Sequence, residues 1–197
     1  KAALDTWRRL SIADPRNIDA FMQVANLSIN AGDTPGAVEA LETAAAADPQ
    51  NARVLQVLGD IQREGGKTEA ALKHYEAAAK LDPKDLITRL KIGEILIDSH
   101  RGTEALAVAG EMLKEDASNR FGLDLKARAL KELGRVDEAL EIAESLSASD
   151  PKDLKAAFLV VTLLEQKGAL EQADARLNTL LRRNTSTEDA EGIARNN

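Results

Sequence analysis

Cysteine is absent from this chain of 197 residues, which removes disulfides and thiolate metal sites and fits reducing and oxidising compartments alike. Aromatic residues are scarce at 3%, and Trp7 and Tyr75 are each the only one of their kind. A core with so few bulky anchors must be made of many small contacts, and abundant alanine lets helices approach closely enough to make them. No run of about 18 apolar residues occurs, so no segment reads as a membrane-spanning helix. No contiguous basic patch offsets the formal net charge of -7; an acidic chain repels phosphate, which argues against nucleic acid as a partner. The first residue is Lys1 rather than methionine. An excised or processed chain is therefore expected, with a signal peptide or anchor left open. Cytoplasmic and periplasmic or extracellular settings are both permitted.

What is present is enough to fold. Hydrophobic residues make up 44% and charged residues 30%, which supports a packed interior and is not the composition of a disordered chain. The dominant feature is self-similarity. Asp14, Asp48, Asp82, Asp116 and Asp150 recur every 34 residues. Pro15, Pro49, Pro83 and Pro151 follow four of them, with Ala117 in the remaining register. Ala37, Ala71, Ala105, Ala139 and Ala173 keep the same period, as do Gly32, Gly66, Gly134 and Gly168, with His100 where the third glycine would stand. Several residue types locked in one phase are the signature of stacked supersecondary units.

Between these marks the apolar residues fall at spacings of three and four, as helices require. Phe21, Val24, Ala25 and Ser28 form one stripe, and Leu55, Leu58, Gly59 and Gln62 occupy its places one period on. The second helix of each unit carries sets such as Ala71, Tyr75 and Ala78. The pattern predicts helices at about 2–13, 17–30, 34–47, 51–64, 68–81, 85–98, 102–115, 119–132, 136–149, 153–166 and 170–183. Glycine at the end of the first helix takes left-handed dihedrals and closes it. Thr34, Thr68 and Thr103 are expected to cap the helix that follows. Proline after aspartate ends the unit, since it cannot continue the hydrogen-bond ladder. The in-register alanines are expected where two helices cross closely.

These residues resemble the tetratricopeptide repeat, most clearly through Leu55, Leu58, Gly59, Gly66, Ala71, Tyr75, Ala78 and Pro83. The resemblance covers residues 1–185: a half repeat at 1–17, then full repeats starting near 18, 52, 86, 120 and 154, with a polar and disordered tail expected at 186–197. It implies an all-α chain of antiparallel helix pairs wound into a right-handed superhelical solenoid. It also implies a concave face that takes a peptide or a partner's helix, and no enzymatic activity. Arg89 and Lys126 stand at positions that are apolar in the family, and His100 replaces the turn glycine, so the third and fourth repeats are expected to be less regular.

No catalytic, cofactor or metal site is legible. His74 and His100 are far apart and lie in no ligand-spacing motif. The paired acids Asp60/Glu64 and Glu94/Asp98 read as solvated helix faces, with some attraction for basic ligand residues. A partner groove is expected on the first helix of each pair, at Met22, Asn26, Arg63, Ile87, Leu90, Ile97, Phe121, Arg128 and Phe158. The same face in the last two repeats also carries Asp124, Lys131, Glu132, Lys155, Thr162 and Glu165. Apolar side chains amid polar ones on an open face are what protein binding needs. The expected function is therefore a scaffold or adaptor for a protein or peptide. Self-association through the apolar faces of the terminal repeats, or the stacking of those faces within a longer array of such repeats, stands as the alternative.

Overall fold

The structure, a computed structural model, describes the backbone of residues 2–195 and the side chains of residues 2–182. The described residues form eleven helices in chain order: α1 (Ala2–Ala13), α2 (Ile18–Asn30), α3 (Thr34–Ala47), α4 (Ala52–Glu64), α5 (Thr68–Leu81), α6 (Leu86–Asp98), α7 (Gly102–Glu115), α8 (Arg120–Glu132), α9 (Val136–Ser149), α10 (Leu154–Lys167) and α11 (Leu170–Arg195). The first helices of the five full pairs begin 34 residues apart, at Ile18, Ala52, Leu86, Arg120 and Leu154. The substitutions at Arg89, His100 and Lys126 therefore leave the helix register intact. Helix α11 runs on to Arg195, past residue 183, where the apolar pattern stops. The side chains of the expected polar tail lie outside the described residues.

Two compact units divide the chain, Lys1–Ile95 and Leu96–Asn197. In the first, α1 packs on α2, α2 on α3, α3 on α4 and α4 on α5. Its core joins Phe21, Val24, Ala25, Leu41, Val54 and Leu58, with Trp7 of α1 half-buried against it. In the second, α7 packs on α8, α8 on α9, α9 on α10 and α10 on α11. Here Leu130, Leu140, Val160, Val161, Leu163 and Leu164 form the core. The in-register alanines behave as small-residue contacts: Ala37, Ala71, Ala105 and Ala139 have no exposure at all.

The junctions repeat as tightly as the core. In every D-P-x-[N/D] or D-A-S-N turn, the aspartate carboxylate accepts the N–H two residues on, as in Asp48 to Gln50 at 3.2 Å and Asp116 to Ser118 at 2.9 Å. The aspartate carbonyl accepts the N–H three residues on, as in Asn51 to Asp48 at 3.2 Å. That turn wants a residue of fixed negative φ after the aspartate, which proline supplies and Ala117 tolerates. The next residue in the period, Asn17, Asn51, Asp85, Asn119 or Asp153, then accepts N–H groups at the start of the following helix.

The threonines do not cap. Thr34 and Thr68 are the first residues of α3 and α5, and Thr103 is the second of α7. Asp33 caps α3 through the Gly36 N–H at 2.9 Å, while Lys67 and Arg101 precede their helices without a side-chain cap. At the turn within each pair, Gly32, Gly66, Gly134 and Gly168 take φ between 72° and 82°, and His100 takes φ 57° in the same register. Histidine is among the non-glycine residues that reach this region at moderate cost. At one helix crossing a glycine is required by space: a Cβ on Gly59 would lie 2.6 Å from the Tyr75 ring. Tyr75 is itself fully buried and donates to Asp60 Oδ1 at 2.5 Å.

Candidate functional site

The first helices of the last two pairs, α8 and α10, frame a hollow of the second unit. Asn119 and Asp153 fix where these helices begin, and Arg120 joins the two starts by pairing with Asp153. Spacings of four, three and one put Asp124, Arg128, Lys131 and Glu132 along one side of α8, facing the hollow. From α10 come Leu154, Lys155, Phe158, Leu159 and Thr162, and Ile97 lines it from the end of α6. The space is about 560 Å3, within the range of sites that seat a ligand or a few side chains. Phe158 is 49% exposed and Leu154 48%. Large apolar side chains half open to water beside cations are not what a closed core looks like.

Charge in the hollow is uneven. Burial pushes the Asp124 carboxyl above the usual carboxylate range, with the Arg128 charge opposing that rise. Their ion pair is long, at 3.8 Å. Glu132 is approached by His100 Nδ1 at 3.0 Å. Lys131 and Lys155 reach into the hollow without an ion-pair partner among the described residues.

The structure thus brings Ile97, Arg128 and Phe158 together. Phe121, on α8, is 57% exposed but lies outside the lining of that hollow. The remaining candidates belong to the first unit and are dispersed. Met22 is in the core at 8% exposure rather than on an open wall, within the buried cluster that includes Leu41 and Val54. Asn26 is exposed and Leu90 half-buried, while Ile87 is 66% exposed. Arg63 pairs with Glu94 at 2.9 Å. Asp60 accepts both Tyr75 and Lys91 Nζ, each at 2.5 Å. Two of the acids read as an attraction for basic ligands are therefore held by the chain's own donors. Leu154 and Leu159 line the hollow without having been picked out in the sequence. Leu154 follows its capping aspartate directly, and its register holds Arg120 one repeat earlier, so periodicity gave no signal for it.

No group of three or more His, Cys, Asp or Glu side chains is placed to hold a metal ion among the described residues. None of the helices described is long and apolar enough to cross a membrane.

A profile of the tetratricopeptide repeat family matches residues 1–186. The chain belongs to that family, and its fold is that of a tetratricopeptide solenoid. Solved structures agree on the fold. A tetratricopeptide repeat protein from Parabacteroides merdae ATCC 43184 is similar at a TM-score of 0.80 and 20% identity, over 91% of this chain and 70% of that one. MamA from Desulfovibrio magneticus RS-1, from residue 41 to its end, gives 0.76 at 15% identity, over 88% and 97%. YrrB, described as a tetratricopeptide protein with an unusual peptide-binding site, gives 0.71 at 16% identity, over 89% and 91%. No curated protein matches the chain in sequence. Membership in this family suggests a role in protein–protein interaction or scaffolding.

Proposed function

We propose that this protein is a binding module that holds a segment of a protein partner, extended or helical, against the first helices of its repeats, and that it performs no chemistry itself. The observation that carries the reading is the hollow between α8 and α10, where Phe158 and Leu154 stand half in water with Arg128, Lys131 and Lys155 around them. An aromatic anchor bordered by polar groups has the make-up of a binding hot spot. The peptide-binding site named for YrrB supports the reading by analogy of fold. The proposed partner surface of the second unit retains Ile97, Phe121, Arg128 and Phe158; Asn26, Ile87 and Leu90 stand as separate candidates on the first unit.

Affinity capture from the native lysate tests this. Phe121→Asp with Phe158→Asp should abolish partner capture and leave helicity intact, since both side chains are about half exposed. Unchanged capture by the double variant contradicts the reading.

Self-association is the second reading, favoured by Ile12 at 79% exposure on α1 and by Leu170 and Leu181 at 62% and 57% on α11. Light scattering across a concentration series decides it: a constant monomer mass rules it out.

A further inference from the structure

Three cations and two acids line the hollow of the second unit, on a chain whose formal net charge is -7. Each acid already has a neighbour from the chain: Arg128 lies beside Asp124, and His100 Nδ1 is 3.0 Å from Glu132. The converse does not hold. Lys131 and Lys155 have no ion-pair partner among the described residues, though the Lys155 charge acts on Asp124, and the one Arg128 contact to Asp124 is long at 3.8 Å. Burial raises the Asp124 pKa while the charges of Arg128 and Lys155 oppose that rise. The electrostatic demand of the hollow is for negative charge, and its shape demand is for an apolar side chain.

Resting on the reading of this hollow as the binding surface, we infer that its occupant is an acidic protein segment in which a carboxylate side chain stands next to a bulky apolar one. The apolar side chain lies on Phe158 and Leu154. The carboxylate meets Lys131 and Lys155, with Arg128 as the planar donor. The opposing charge of the rest of the molecule does not defeat this. At about 0.15 M salt the screening length is roughly 8 Å, so charges elsewhere on the chain are largely screened while direct contacts in the hollow are not. Raising salt from low values toward that range should therefore strengthen binding before further salt weakens it.

End-capped synthetic peptides, labelled for fluorescence anisotropy, test the inference on the full chain. The probes are an acidic peptide of Glu and Asp around Phe and Leu, its Gln/Asn counterpart, and its Lys counterpart. The acidic peptide should bind about tenfold or more tightly than the amide one. Lys131→Glu with Lys155→Glu should remove that preference without loss of helicity, because Lys155 is exposed and Lys131 only half-buried. Equal binding of acidic and amide peptides, lost in Phe158→Asp but kept in the lysine variant, overturns the inference and leaves the hollow as the binding surface. No binding by any of the three overturns both. Light scattering on the same variants covers a second copy as occupant: association that the charge reversals abolish would also overturn the inference.

Discussion

His100 shows how much a single residue can carry when the backbone dictates its conformation. It sits at φ 57° in a register otherwise filled by glycine, where a side chain costs roughly 1–2 kcal/mol and a β-branched one more. Its contact with Glu132 compensates little, since the ring is 84% exposed. His100→Val should lower stability in urea titrations by about 1–2 kcal/mol, whereas His100→Gly should not lower it; equal losses for both would contradict the conformational account. His74 makes a different prediction. It is half-buried on α5, and its removal from water holds its pKa below the ordinary 6.5, with the Glu42 charge acting the other way. The unfolded chain therefore takes up this proton first as pH falls. The folded state keeps its full advantage above 6.5 and loses part of it below. Urea midpoints should drop on the acid side of that value, and His74→Gln should shrink the drop.

Helices are set by their ends as much as by their stripes. Asn119 caps α8 by accepting the Gly122 N–H at 2.9 Å, so Asn119→Ala should cost about 1 kcal/mol. Thr103→Ala should cost little, because that hydroxyl lies inside α7 and Arg101 precedes the helix. Thermal melts of the two variants measure the difference, and equal shifts would contradict the assignment of caps. The threonines were attractive in the sequence because they recur near a glycine. The true caps at Asn17, Asn51, Asp85, Asn119 and Asp153 keep the 34-residue period too, but they follow the Asp-Pro marks so closely that they read as part of the same junction. The alanines and turn glycines were legible because each answers a local demand, for a close crossing or for positive φ. The ties between first helices were not. Arg63–Glu94 and Lys91–Asp60 join residues 31 apart, and which of many charges meet depends on the rotation of each helix.

At the scale of the molecule, each helix pair is too small to stand alone and is held by its neighbours along the chain, so stability is a sum of local interfaces. Such a fold leaves the face of its first helices free to vary without disturbing the alanine contacts beneath. The candidate surface was legible to the extent that exposure follows helical phase. Phe121, Phe158 and Ile87 are open as their positions imply, while Met22 is buried at 8% and Ile97, though it borders the hollow, at 9%. Site-specific photo-crosslinking in the native cell tests the central claim most directly. A photoreactive phenylalanine analogue is placed at Phe158 in the hollow of the second unit and, separately, at Glu144 on the exposed side of α9. A discrete covalent adduct with a partner protein should form from position 158 and not from position 144. Adducts of equal yield from both, or from position 144 alone, would contradict the account.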